Sequence, residues 1–175
     1  WDIERVLNGR TFYSSGESVE HYNVWDSSIY SPIKGTVTEL VNDMPDSIAD
    51  PSHTVDLSQR GSGNYLLLHV AGSFYFSLIH LRKGSIPSHI KVGSKVSVGD
   101  FIGKVGNSGV TYVPHLHITM FYWSTELNRM MSVPTFMSNV ETLTTPTGGA
   151  VPSCEVSPRH DQSIRTTGLT LGCSF

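Results

Sequence analysis

The sequence predicts a mostly β fold, built as an antiparallel sheet, sandwich or barrel with little helix. Three observations predict it. Helical spacing of apolar residues is almost absent, the apolar runs are short and rich in β-branched and aromatic residues, and Gly, Pro, Asn and Ser separate these runs. A length of 175 residues fits one domain with a tail and is enough to bury a substantial core.

Five runs of apolar and β-branched residues are predicted to form strands. They are residues 29–32, 36–41, 65–70, 73–81 and 95–105, and a further β-like run surrounds 114–121. Residues 44–59 are polar and rich in Asp and Ser, which predicts a surface loop. Asp43, Asp46 and Asp50 are expected to be solvated there, and weak binding of a cation is the alternative. Residues 124–131 are predicted to form one short helix.

The last part of the chain differs in composition from the rest. Thr, Pro, Gly and Ser dominate from residue 142 onward, which predicts a domain over 1–141 and a tail over 142–175. Both cysteines, Cys154 and Cys173, lie in this tail, and they form no CxxC pattern of a structural zinc site. A disulfide between them would stabilise the tail by ~3 kcal/mol and would indicate an oxidising compartment, whereas two free thiols are the alternative.

Composition excludes several classes of function. The 12 basic and 15 acidic residues give a net charge of −3 without any basic run, which argues against a nucleic-acid partner. No apolar stretch approaches the ~20 residues of a membrane span. Residues 91–103 are similar to the folded ribbon of biotinyl and lipoyl carriers. Such a carrier needs an exposed Lys at a hairpin tip, typically beside Met or Ala, and the segment has no such site, which argues against a carrier.

The chain starts with Trp1, so we expect any signal peptide to lie outside it.

The motif Pro114-His115-Leu116-His117 is the strongest functional signal in the sequence. Side chains two residues apart on a strand point to the same face, so His115 and His117 can address one point in space. Such a pair suits a metal site or an acid–base pair. Asn107 and Ser108 precede it within a Gly-bounded stretch and are expected to shape a turn.

Several ordered motifs around this pair resemble one enzyme family. Residues 99–109 read GDFIGKVGNSG and lead into PHLH, residues 79–81 read IHL, residues 29–37 read IYSPIKGTV, and residues 132–136 read SVPTF. Together they resemble lysostaphin-type (LytM-like) zinc metallopeptidases over about residues 25–137. The resemblance implies a duplicated-hybrid-motif type of β-sheet with an open groove.

The resemblance also implies a catalytic zinc ion held by two His and one Asp, with a fourth position open to water. By position, His117 is the zinc ligand. His80 and His115 are then the non-ligand pair that handles protons and steadies the tetrahedral intermediate, for which imidazole is suited near neutral pH.

Two sets of residues compete for the other half of the zinc site. Asp2, in Trp1-Asp2-Ile3, resembles the end of a family motif whose His would lie before residue 1. The alternative pair is His21 and Asp26, which have the right residue types but lie five apart, without the usual Gly. That spacing puts two side chains on opposite faces of a regular strand.

The resemblance implies a secreted peptidase, extracellular or periplasmic, that cleaves glycine-rich or other short peptide cross-links of peptidoglycan. Two alternatives remain open. One is a catalytically degenerate domain of this type that binds peptidoglycan or a protein, and the other is an interaction protein that uses its tail as the contact element. An intact zinc site distinguishes the enzyme from both.

Other candidate residues carry weaker signals. His69 is expected to be a hydrogen-bonded strand residue, Tyr112 could reach the groove, and solvent exposure is the simplest interpretation of three further histidines. These three are His53, His89 and His160.

Overall fold

The computed structural model describes residues 1–54 and 61–135, and the backbone of three short strands between residues 140 and 165. The strands are β1 (Asp2–Ile3), β2 (Ser28–Tyr30), β3 (Gly35–Val41), β4 (Asn64–Ala71), β5 (Phe74–Leu81), β6 (Lys95–Val96), β7 (Phe101–Lys104), β8 (Leu116–Ser124), β9 (Arg129–Val133), β10 (Val140–Leu143), β11 (Val151–Ser153) and β12 (Ser163–Arg165). A single-turn 3₁₀ helix spans Val19–His21, and the described residues contain no α-helix. The predicted mostly β fold is confirmed.

The largest sheet is antiparallel and has the strand order β1-β8-β5-β4-β3-β6. The strand β9 also pairs with β8, on the same edge as β1 but further along the strand. The strands β2 and β7 pair into a separate two-stranded sheet, and β10 pairs with β11 and β12. The tail boundary at residue 142 stays a prediction, and Cys154 and Cys173 lie outside the described residues.

Alternation along the central strands separates a buried face from an open face. Leu66, Leu78 and Ile118 are direct neighbours across β4, β5 and β8, and each is at most 2% exposed. Ile29 of β2 and Ile102 of β7 belong to the same apolar cluster, so the small sheet covers the buried face of the large one. The open face of the large sheet is left for the site described below.

The short helix predicted over residues 124–131 is wrong. The strand β8 continues to Ser124, and β9 starts at Arg129 directly opposite it. Asn128 closes the connecting turn with a φ of +48°, a conformation that Asn tolerates better than most residues. Pairing of two strands therefore overrides the local helical preference of this segment.

The predicted run over 95–105 contains two strands, β6 and β7, which belong to different sheets. Gly99, with a φ of +87°, lies in the turn between them. Residues 44–54, the described part of the predicted loop, contain no strand, although Asp46 forms a single β-bridge with Ser108.

In the part of the chain that the structure describes, no helix is long and apolar enough to span a membrane.

Candidate metal and catalytic site

Three histidines converge at one end of the large sheet. His117 lies on β8, His115 directly precedes that strand, and His80 lies near the end of β5, whose Ile79 is the register partner of His117. Their ligating nitrogens lie within 4.8 Å of one another. The ring centroids of His80 and His115 are 4.8 Å apart, and those of His80 and His117 are 5.9 Å apart. The structure thus brings together all three histidines that the motifs single out.

Asp2 joins this cluster through strand pairing. Because β1 runs antiparallel to β8, Asp2 lies directly opposite His117. The Asp2 Oδ1 atom is 2.6 Å from His117 Nδ1 and 3.5 Å from His115 Nε2. The hydrogen bond from His117 lowers the pKa of Asp2 to about 2, although partial burial opposes this. The carboxylate is therefore ionised at neutral pH and faces two imidazoles.

His80 is buried and held in an unusual backbone conformation. It is 6% exposed and has a φ of +65°, a region that few non-glycine residues occupy. Burial, followed by the neighbouring His115, lowers the pKa of His80 to about 4. The His80 Nδ1 atom lies 2.8 Å from the carbonyl oxygen of Ser108, which can only accept a hydrogen bond. The neutral ring therefore carries its proton on Nδ1 and a lone pair on Nε2.

His115 is oriented in the same way. Its Nδ1 atom lies 2.9 Å from the carbonyl oxygen of Val113 and 3.3 Å from the hydroxyl oxygen of Thr111. Since the carbonyl can only accept, Nδ1 donates to it. The Nε2 atom, on the side of Asp2, is left for chemistry. Each of these two histidines thus uses one nitrogen for positioning and keeps the other for the site.

Ser108 connects the His80 position to two strands. Its hydroxyl donates to the carbonyl oxygen of Leu81 at 2.8 Å and accepts from the backbone N–H of Asn64 at 2.9 Å. The side chain is fully buried. The carbonyl that fixes His80 is therefore itself fixed, as predicted for a residue that shapes the turn.

Asn107 connects the His115 position to the loop that precedes β4. The hydroxyl of Thr111, which contacts His115, also donates to Asn107 Oδ1 at 3.0 Å. The Asp46 carboxylate accepts from the backbone N–H of Asn107 at 2.7 Å and from that of Lys83 at 2.9 Å. The expectation that Asp46 is part of a merely solvated acidic loop is wrong, because its carboxylate joins the turn to the segment after β5.

The turn at residues 106–109 approaches its neighbours so closely that it needs glycine. A Cβ atom on Gly106 would lie 2.4 Å from the backbone nitrogen of Arg82, and one on Gly109 would lie 2.3 Å from that of Gly63. Side chains at these positions would push the turn away from the histidines that it orients.

The alternative pair, His21 and Asp26, lies apart from the histidine cluster. The Asp26 carboxylate forms ion pairs with Arg82 and, at 2.8 Å, with Lys104. The Nδ1 atom of His21 lies 3.5 Å from the hydroxyl of Ser15 on an exposed part of the surface. The convergent group of three histidines contains neither of these residues nor Asp2, but of the three candidates Asp2 is the one whose carboxylate contacts the group, 2.6 Å from His117 Nδ1. The geometry therefore favours Asp2.

The weaker candidates have structural explanations. The Nε2 atom of His69 lies 2.8 Å from the carbonyl oxygen of Gly72, as expected for a hydrogen-bonded histidine on a strand. His53 packs on the ring of Tyr112 with a centroid distance of 4.3 Å. His89 is exposed, as expected. His160 lies outside the described residues.

The donor atoms present fit a zinc ion. Imidazole nitrogen and carboxylate oxygen are the usual ligands of catalytic zinc, together with an open position for water. His117 Nδ1 and Asp2 Oδ1 already face each other, and two further imidazoles lie beside them.

Comparison with known proteins identifies the family of this chain. The sequence profile of peptidase family M23 matches residues 19–129, which is more than half of the chain. The chain belongs to peptidase family M23. The matched M23 segment includes His80, His115 and His117, whereas Asp2 precedes it. The predicted resemblance to the lysostaphin-type, LytM-like family is confirmed.

Solved structures similar to this M23 chain include a zinc-containing peptidase from Vibrio cholerae, at 21% identity over 64% of this chain and 27% of that chain, with a TM-score of 0.43. A putative glycyl-glycine endopeptidase LytM from Ruminococcus gnavus is 18% identical over 70% of this chain and 41% of that chain, with a TM-score of 0.44. Lysostaphin from Staphylococcus simulans is 16% identical over 96% of this chain and 78% of that chain, with a TM-score of 0.43. The chain spans less than half of the first two structures. No curated protein matches the chain.

Sequence reasoning missed two residues that support the M23 site. Thr119 lies two residues after His117, and the two-residue period of a strand places it on the same face. That signal was available in the sequence. Asp46, by contrast, reaches the turn only through a tertiary contact over 61 positions, which no local pattern encodes.

Proposed function

We propose that this chain is a secreted zinc metalloendopeptidase that cleaves peptide cross-links of peptidoglycan. The observation that carries the proposal is the convergence of His117, Asp2, His80 and His115 at one end of the sheet in a member of peptidase family M23. Family membership alone supports the reaction class, and the four side chains supply the groups that this reaction needs.

The metal-binding part of the proposal assigns His117 Nδ1 and Asp2 Oδ1 as ligands. The resemblance places the remaining protein ligand upstream of residue 1, which leaves His115 free. When bound, zinc supplies a Lewis acid that polarises the peptide carbonyl and lowers the pKa of a coordinated water towards ~7.

The proton-handling part assigns His80 and His115. Since His80 is neutral and its Nδ1–H is donated to Ser108, its Nε2 lone pair can accept a proton from the attacking water. His115 holds its ring against Val113 and can present its Nε2 to the oxygen that becomes negative, provided that this nitrogen is protonated. The resemblance leaves open which ring takes the proton, and the neutral, Nδ1-protonated state of His80 supports His80 as the acceptor.

The substrate class follows from the motif resemblance, which implies glycine-rich or other short cross-links in bacterial cell walls. Such a substrate places the site outside the cytoplasm, in agreement with the proposed secretion.

A metal-free binding module is the second candidate, and one observation favours it. Asp2 and His117 lie at hydrogen-bond distance and can satisfy each other without an ion. A domain with this pair could use the same groove to bind a cell-wall peptide without cleaving it.

Cleavage of purified peptidoglycan in the presence of zinc distinguishes the two candidates. The proposed enzyme releases new amino termini from the cross-links, and a chelator stops the release. His115→Ala is expected to slow release by about 10²- to 10⁴-fold. His89→Ala, which changes an exposed histidine away from the cluster, serves as the matched control. Binding without release, in the zinc-loaded chain, would contradict the enzyme and favour the binding module.

A further inference from the structure

Thr119 contacts the proposed zinc ligand on the side opposite to Asp2. Both His117 and Thr119 lie on β8 two residues apart, so their side chains share the open face of the sheet. The hydroxyl oxygen of Thr119 is 2.9 Å from His117 Nε2. The other ring nitrogen, Nδ1, is 2.6 Å from Asp2 Oδ1. The imidazole is therefore held at both nitrogens.

The two nitrogens of a neutral imidazole have different tasks, because one carries a proton and the other a lone pair. A metal at Nδ1 requires the lone pair there, so the proton must be on Nε2 and needs an acceptor. The hydroxyl of Thr119 can be that acceptor.

Without a metal, the proton arrangement of His117 must be different. A carboxylate oxygen and a ring nitrogen that are 2.6 Å apart need a proton between them, so Nδ1 then carries it. In the neutral ring, Nε2 becomes an acceptor, and the Thr119 hydroxyl can rotate to donate to it. A carbonyl or carboxylate in place of Thr119 could serve only one of these two arrangements, because it only accepts.

We propose that Thr119 is a positioning residue for zinc binding, which keeps the His117 ring in place with and without the metal. The inference rests on the proposed function and adds to it a residue that touches neither the metal nor the substrate. Thr119 acts through His117: its hydroxyl accepts from Nε2–H while Nδ1 is a ligand, and it donates to Nε2 when Nδ1–H is paired with Asp2. Supporting partners of this kind change metal affinity by about 10- to 100-fold.

Two substitutions separate the hydroxyl from the shape of the side chain. Thr119→Val keeps a β-branched side chain, which suits a strand, and removes the hydroxyl. Thr119→Ser keeps the hydroxyl and removes a methyl group. The readouts are the zinc dissociation constant, obtained by competition with a chromophoric chelator, and the ¹⁵N NMR signals of the His117 ring. Thermal unfolding of the zinc-free proteins checks that both variants fold.

We expect Thr119→Val to weaken zinc binding at least tenfold and to shift the His117 Nε2 signal, while Thr119→Ser stays within about threefold of the wild type. Equal zinc affinity and unchanged ring signals in Thr119→Val would overturn the inference and leave the proposed function intact.

A wild-type protein that takes up no zinc, also when the segment before residue 1 that is proposed to supply the remaining ligand is present, would contradict the proposed function instead. The zinc-free spectra then still decide the role of Thr119. A changed His117 tautomer or Nε2 signal in Thr119→Val, but not in Thr119→Ser, would support positioning by the hydroxyl, and identical signals in all three proteins would overturn it.

Discussion

Asp2 lies directly opposite His117 across β1 and β8, with its Oδ1 atom 2.6 Å from His117 Nδ1, although the two residues are 115 positions apart in the chain. This pairing places a carboxylate beside a histidine motif that otherwise supplies only imidazoles. It brings the edge strand β1, only two residues long, into contact with the histidine cluster.

Removal of the Asp2 carboxylate tests its assignment as a ligand. Asp2→Asn is expected to weaken zinc binding by at least tenfold, because a neutral amide is a poorer zinc ligand than a carboxylate. Competition with a chelator measures the affinity. Glu126→Gln removes a charge in the exposed turn between β8 and β9 and should leave the affinity unchanged. If Asp2→Asn binds zinc as tightly as the wild type, Asp2 is not a ligand.

Substitution of the two histidines of the motif is expected to affect zinc binding and peptidase activity differently. His117→Ala should lose both bound zinc and peptidase activity, since it removes a proposed ligand. His115→Ala should keep most of the zinc and lose activity by about 10²- to 10⁴-fold, the usual contribution of proton transfer. Metal analysis and cleavage assays on the same samples separate the cases. Full turnover by the His115 variant would refute its catalytic assignment.

Buried His80 predicts a loss of stability in mild acid. Its folded-state pKa, about 4 because of burial, lies below the ordinary value of 6.5, so the unfolded chain takes up the proton first. The free energy of unfolding is therefore unaffected by protonation of His80 above pH 6.5. It falls as the pH decreases from 6.5 towards 4, by ~3 kcal/mol at most. Urea unfolding of zinc-free protein at several pH values measures it. His80→Gln should show a flatter profile over this range, and an equally steep profile in that variant would assign the loss to other groups.

Asp46 is expected to support both stability and activity. Asp46→Asn replaces one of two acceptor oxygens by an amide group, which leaves the N–H of Asn107 or Lys83 facing a donor. The expected cost is about 1–3 kcal/mol in the free energy of unfolding, and activity should fall while bound zinc is retained. Asp43→Asn, at an exposed position of the same loop, is the matched control. Equal stabilities of the two variants would show that the Asp46 contacts contribute nothing.

Gly106 tests how closely the turn must approach the segment after β5. Gly106→Ala would put a Cβ atom 2.4 Å from the backbone nitrogen of Arg82, so the turn must shift, at a cost of about 3 kcal/mol. Gly61→Ala adds the same methyl group where no atom lies within 4 Å. Thermal unfolding compares the two. A Gly106→Ala protein as stable as Gly61→Ala would mean that the contact relaxes without strain.

The sequence predicted the central strands well because their side chains alternate between a buried and an open face. It predicted the convergence of His80, His115 and His117 through motif order, and the strand register β5–β8 explains how they meet. Local propensity favours a helix over residues 124–131, but pairing between β8 and β9 decides the conformation of this segment.

The choice between Asp2 and the pair His21 and Asp26 could not be made from local spacing. It depends on which distant segment becomes the edge strand beside β8, and on the cations Arg82 and Lys104 that neutralise Asp26 elsewhere. Both are tertiary contacts between residues far apart in the sequence.

The central claim is that Asp2 and His117 bind one zinc ion. Anomalous diffraction at the zinc edge, from crystals grown with zinc, tests it most directly. We expect one strong peak within about 2.0–2.2 Å of Asp2 Oδ1 and His117 Nδ1, the range of zinc bonds to oxygen and nitrogen. A peak bound to other side chains, or an intact Asp2–His117 hydrogen bond without any peak beside it, would contradict the claim.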